Sequence, residues 1–154
     1  MFIFETELTW REGKQAILSA RDNPLLHVAT PPEFGGPPGI WCPEELLVAS
    51  VESCLMSTFL YFAERFDLTP AAYSSRAKVV LEKTSAGLRI SGVEVCIDVV
   101  WADAGSLEKA TSLQLKEKLD KYCPISASLN CPLSVQMKLQ KRAADSTKDQ
   151  GNSI

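Results

Sequence analysis

Five cysteines and a single histidine mark this 154-residue chain. Cys42, Cys54, Cys96, Cys123 and Cys131 offer thiol chemistry, whereas His27 alone leaves little for a multi-histidine metal site or a Ser-His-Asp hydrolase. Cys96 sits between Val95 and Ile97 and shares its face with Glu94 and Asp98, a poor setting for a nucleophile, so it reads as an incidental strand cysteine. Cys131 has the parity of Leu133 and Val135 and reads as a small core residue. Cys123 and Cys131 are eight apart, wider than a zinc knuckle allows, and no second pair accompanies them, so no metal is expected. Cys42 precedes Pro43 in a loop that should leave it accessible, at a helix start that can lower a thiol's pKa. Cys54 lies three turns inside that helix, beyond useful reach of its dipole, where burial disfavours a thiolate. Cys123 precedes Pro124 in Cys-Pro-Ile-Ser, an N-cap followed by proline at the first helical position. By local chemistry alone, Cys123 outranks Cys54 as a nucleophile.

The elements that must hold these thiols follow from periodicity. Phe2, Phe4, Leu8 and Trp10 alternate with Ile3, Glu5, Glu7 and Thr9 as a half-buried strand, and Trp10 to Lys14 turns into a returning strand over Gln15–Ala20. Thr30–Pro43 holds five of the nine prolines and three of the eight glycines, so it must be a loop. From Pro43, with Glu44 and Glu45 in the first turn, a helix runs to about Phe66. It is apolar on most of its circumference and should be a central helix buried on several sides. Strands are expected over Arg76–Glu82 and Leu88–Trp101, joined by a hairpin turn at Thr84–Gly87. A helix capped by Ser106 should run to Tyr122, and a last strand should use Leu133, Val135, Met137 and Leu139. Strands grouped in this way define an α+β fold with a largely antiparallel sheet. One domain over residues 1–141 is expected, with a polar disordered tail over 142–154.

The net charge of −3 gives no footprint for nucleic acid. The N-terminal residues lack the basic-then-apolar pattern of a signal peptide. Leu46–Ala63 carries Glu52 and four Ser or Thr residues, which makes it too polar for a membrane span. Cytoplasmic residence with reduced thiols is the expectation.

Four ordered segments together resemble the OsmC/Ohr family, the osmotically inducible protein C and organic hydroperoxide resistance proteins. They are Trp10-Arg11-Glu12-Gly13-Lys14, Pro32-Glu33-Phe34-Gly35-Gly36, Pro43-Glu44-Glu45-Leu46-Leu47 followed by Cys54, and Cys123-Pro124-Ile125-Ser126. The likeness runs from about Leu8 to Lys141. It implies an intertwined homodimer with central helices between sheets and two active sites at the subunit interface. By matching position, the resemblance makes Cys54 the peroxidatic thiol and Cys123 the resolving one, which reverses their local ranking. Glu44 matches the glutamate that partners a catalytic arginine. Family members draw that arginine from the first hairpin or from the loop before the central helix. This loop has no arginine, so Arg11 is favoured, with Arg21 behind it.

The implied activity is a thiol-dependent peroxidase that reduces organic hydroperoxides to alcohols. Cys54 would become a sulfenic acid and then a disulfide with Cys123, which an external dithiol, lipoyl-type or a small thiol, would reduce. No cofactor, nucleic acid or membrane partner is implied. The alternative is a non-catalytic binding or redox-sensing protein on the same fold. A weaker one is a hydrolase or transferase pairing Cys54 with His27, which needs the two within hydrogen-bond reach.

Overall fold

The structure, a computed structural model, describes residues 1–142. Two three-stranded sheets flank a loop and a long helix. In the first sheet β1 (Glu7–Glu12), β2 (Gln15–Ser19) and β3 (Leu26–Ala29) pair antiparallel in that order. Gly13, at φ 49°, makes the tight β1–β2 turn, and the Trp10 indole donates to its carbonyl at 3.1 Å. The register sets Leu8 opposite Leu18, Trp10 opposite Ala16, and then Leu26 and Val28 opposite those, so one face of the sheet is apolar. The strand expected from Phe2 begins only at Glu7, and Leu8 and Trp10 are 61% and 67% exposed. The alternation identified an apolar sheet face correctly, but among the described residues β1 is left exposed along its length.

The proline–glycine segment is the expected loop, with a 3-10 turn at Pro32–Phe34 closed by Gly35. Gly36 is packed so tightly that a Cβ there would lie 1.6 Å from the Thr30 carbonyl oxygen. The Lys14 ammonium donates to the Phe34 carbonyl, and the Ala29 amide donates to the Trp41 carbonyl at 2.9 Å. Both contacts tie the loop to the first sheet.

Helix α1 spans Pro43–Arg65. Proline starts it, and the Glu45 carboxylate accepts the Cys42 amide at 3.0 Å. Val51, Leu55, Phe59, Phe62 and Ala63 are buried, while Met56, Leu60 and Tyr61 remain exposed in the chain. By length and composition alone α1 is apolar enough to cross a membrane, against the expectation that it is too polar, although a buried core helix meets the same criterion. In this fold its apolar stripe lies on the second sheet, where the Phe59 ring is 5.0 Å from Tyr73 and 5.7 Å from Trp101.

That sheet comprises β4 (Pro70–Thr84), β5 (Gly87–Trp101) and β6 (Leu133–Lys141). The long β4–β5 hairpin is antiparallel and turns at Gly87, at φ 110°. Val93, Val95, Ile97 and Val99 are buried and Glu94 and Cys96 exposed, as their alternation requires. β6 pairs parallel to β5, so the chain must cross back over the sheet between them. The crossover is helical: α2 (Ala104–Ser112), α3 (Leu115–Tyr122) and α4 (Pro124–Ala127).

The single helix expected over Ser106–Tyr122 is therefore two. In one continuous helix Leu119 would sit about 180° from Ala110, yet both are fully buried. Gln114 breaks the run at φ 50° and rotates α3 onto the core. The cap is also displaced, because Asp103 accepts the Ser106 amide at 2.7 Å and the Ser106 hydroxyl at 2.8 Å. Ser106 in turn accepts the Thr69 amide and is buried. The Arg142 amide still donates to the Trp101 carbonyl, and the rest of the expected tail lies outside the described residues.

Candidate active site

Cys54 projects from the middle of α1 and meets Cys123, the residue between α3 and α4. Their sulfurs are 2.7 Å apart across 69 residues of sequence, and both thiols are free. Cys123 is fully buried and Cys54 partly exposed, so one sulfur faces solvent and the other stands behind it. The Cys-Pro-Ile-Ser segment positions the inner sulfur. Proline starts α4, the Ser126 hydroxyl donates to the Cys123 sulfur at 3.0 Å, and the Ser126 amide approaches it at 3.4 Å.

Burial pushes the Cys54 thiol above its ordinary pKa, and the adjoining Cys123 thiol adds to that shift. The Ile125 amide and the Thr58 hydroxyl act the other way but do not reverse it. Nearby, burial raises the Tyr73 phenol to about 12, and its hydroxyl has no hydrogen-bond partner among the described residues.

The remaining residues of interest lie apart from this pair. Arg11 is exposed at the bulge that ends β1. Arg21 donates to the Ile3 carbonyl at 3.2 Å and lies 5.5 Å from the Phe4 ring, so it holds the N-terminal segment. His27 is exposed on β3, opposite Ile17, and does not line the cavity at Cys54. Glu44 is in the first turn of α1, ten residues before Cys54 and so about 15 Å from it along the axis. One Glu44 carboxylate oxygen is buried with no hydrogen-bond partner among the described residues. Cys42 corrects the expectation of an accessible, activated thiol: it is only 7% exposed, and burial raises its pKa.

Two clefts open beside α1. One, of about 620 Å³, has Cys54 and Thr58 in its wall together with Tyr61, Phe62 and Tyr122, and it also includes Arg65. The other, of about 750 Å³, includes Trp41, Cys42 and Glu44 with Phe34, Val79 and Leu81. Among the described residues no three His, Cys, Asp or Glu side chains gather as a metal-binding group. Arg65 and Tyr122 escaped the sequence reading. Arg65 lies eleven residues beyond Cys54, three turns to within about 20°, a signal that helix arithmetic could have supplied.

The chain thus sets a free thiol pair, one sulfur open to an aromatic cleft and one behind it, on an α+β fold with a helical crossover. The family model described as OsmC-like protein matches residues 36–138, and the chain belongs to that family. Among solved structures, an OsmC-like protein of unknown function from Vibrio cholerae is 20% identical, with a TM-score of 0.79 over 90% of this chain and 100% of that one. An organic hydroperoxide resistance protein from Legionella pneumophila is 20% identical, with a TM-score of 0.69 over 91% and 98%. A third, the organic hydroperoxide resistance protein OhrB of Bacillus subtilis, is 18% identical, with a TM-score of 0.63 over 90% and 98%. At these identities the likeness is one of fold. No curated protein is a significant sequence match.

Proposed function

We propose that this chain is a cysteine-based organic hydroperoxide reductase that works as a homodimer, one domain over residues 1–141 in each subunit, in the cytoplasm. The observation that carries the reading is the 2.7 Å approach of the Cys54 and Cys123 sulfurs, with Cys54 on an aromatic-walled cleft. The Cys54 thiolate attacks the distal oxygen of a hydroperoxide. A sulfur–oxygen bond forms, the oxygen–oxygen bond breaks, and the leaving alkoxide takes up a proton as alcohol. The Cys123 sulfur then attacks the Cys54 sulfenic acid. A disulfide forms, and the hydroxyl leaves with the thiol proton as water. An external dithiol, lipoyl-type or a small thiol, restores both thiols by exchange and is itself oxidised. The apolar lining favours alkyl over hydrogen peroxide.

Activation needs a cation, and among the described residues no cationic side chain figures among the groups that shift the Cys54 thiol. Arg11 of a second copy is assigned that role, with Glu44 as the carboxylate that aims it. Glu44 is too far along α1 to serve the Cys54 of its own chain, and its buried, unpartnered oxygen suits a guanidinium. The open apolar face of the first sheet and the exposed Met56, Leu60 and Tyr61 supply surface for such a partner.

The test is intact-mass analysis after a stoichiometric dose of cumene hydroperoxide. The expected product has lost two hydrogens as a Cys54–Cys123 disulfide. Cys54→Ser should not react, and Cys123→Ser should gain one oxygen as a trapped sulfenic acid. An unchanged wild-type mass would overturn the proposal. It would favour the second reading, a non-catalytic binding or redox-sensing protein, for which the raised Cys54 pKa is the supporting observation.

A further inference from the structure

We infer that Ser126 is a catalytic residue for the inner sulfur, supporting charge on Cys123 when that sulfur attacks and again when it leaves. The inference rests on the peroxidase reading above. The Ser126 hydroxyl is placed unusually for this chain. Hydroxyls on its helices donate to the backbone carbonyl one turn back: Ser57 to Ser53, Thr58 to Cys54 and Thr111 to Leu107, each at 2.9 Å. Ser128, at the end of the same short turn as Ser126, donates to the Pro124 carbonyl in this way. Ser126 does not. Its hydroxyl donates to the Cys123 sulfur at 3.0 Å, and its amide approaches the same sulfur at 3.4 Å. One residue thus sets two donors on a sulfur that is fully buried.

Charge comes to Cys123 twice in the cycle. In closure its sulfur attacks the Cys54 sulfenic acid, a sulfur–sulfur bond forms and the sulfur–oxygen bond breaks. The hydroxyl leaves with the thiol proton as water, the Cys123 sulfur is oxidised and the Cys54 sulfur is reduced. In regeneration the thiolate of the external dithiol attacks the Cys54 sulfur, because Cys123 lies buried behind it. A mixed disulfide forms on Cys54, the Cys54–Cys123 bond breaks, and Cys123 leaves as a thiolate. The second thiol of the dithiol then frees Cys54 and completes the oxidation of the dithiol. A thiolate expelled away from water needs donors already aimed at it, as an oxyanion does. Pro124 has no N–H, so the donors of the turn begin with Ile125, whose amide serves the Cys54 sulfur, and continue with Ser126. The turn therefore divides its donors between the two sulfurs, and Ser126 serves the inner one.

The experiment follows reduced wild type, Ser126→Ala and Ser126→Thr by rapid quench and intact mass after a stoichiometric dose of cumene hydroperoxide. In Ser126→Ala oxidation of Cys54 should keep its rate, because the Ile125 amide is untouched. Closure should slow by about tenfold, the loss of one donor to a charged acceptor, so the species with one added oxygen accumulates. Ser126→Thr retains the hydroxyl and should restore closure. A second measurement needs no peroxide: the disulfide is made with diamide and reduced with dithiothreitol. Release of Cys123 should slow by about tenfold in Ser126→Ala and recover in Ser126→Thr. Closure and release at wild-type rates in Ser126→Ala overturn the inference while the peroxidase reading stands. Equal slowing of all steps, or slowing that Ser126→Thr shares, overturns it too, because Ser126 would then only hold the turn in shape. A wild type inert to peroxide whose release step still depends on the hydroxyl refutes the peroxidase reading and upholds the role of Ser126 at the leaving sulfur.

Discussion

At the scale of single residues, the site poses an electrostatic problem. A thiol raised by burial and by a second thiol beside it is a poor nucleophile at neutral pH, because the thiolate does the chemistry. A guanidinium delivered by a second copy would favour the charged form and move the titration down. The sign is then fixed: with Arg11 present, alkylation of Cys54 should reach its half-maximal rate at a lower pH than without it. Arg11→Ala should move the midpoint of the iodoacetamide pH profile upward by about one unit or more and slow peroxide reduction at least tenfold at neutral pH. Glu44→Gln should shift it in the same direction but less, since it removes the group that aims the cation and not the cation itself. A profile unmoved by either change would separate Arg11 and Glu44 from the thiol.

At the scale of elements, two backbone positions carry opposite predictions. Gln114 holds a left-handed conformation where α2 gives way to α3, so Gln114→Gly should stabilise the protein by roughly 0.5–1 kcal/mol in denaturant unfolding. Gly36→Ala should destabilise it by about 1–3 kcal/mol, because the new carbon collides with the Thr30 carbonyl, a backbone atom that cannot swing aside.

The same elements show what the sequence made legible. α1 was readable at both ends because Pro43, Glu44 and Glu45 write its start in local chemistry. The β4–β5 hairpin was readable from strict alternation around Gly87. The α2–α3 break was not, since Leu107, Ala110, Leu115 and Leu119 each keep a local helical spacing. Only the requirement that all meet one core exposes the phase error. The meeting of Cys54 with Cys123 was likewise beyond any local rule: local chemistry ranked Cys123 first, and only the family resemblance named the pair. Accessibility of Cys42 was misjudged because a proline–glycine loop reads as solvent-exposed until the cleft walls are known.

At the scale of the whole molecule, the first sheet is the unfinished part. Leu8, Trp10, Ala16, Leu18, Leu26 and Val28 share a face, and β1's contribution is open to solvent. In the proposed homodimer an apolar sheet face of this kind would serve as an association surface. Leu8→Lys should leave the fold of each chain in place, because Leu8 is already exposed, and shift the species seen by light scattering from dimer to monomer. Peroxide reduction should fall with it, since Arg11 and Glu44 would no longer reach a second thiol. A variant that remains dimeric and active would show that association uses another surface.

The 69-residue interval between the two sulfurs has one more consequence, in chain entropy. Oxidation would turn the segment containing β4, β5, α2 and α3 into a covalent ring. In the loop-closure account, a ring of that size removes about 4 kcal/mol worth of freedom from the unfolded chain. The protein would then be hardest to unfold when it has just spent its thiols. The dithiol that rearms the site would also unlock the ring, so catalytic readiness and resistance to unfolding would alternate through every turnover.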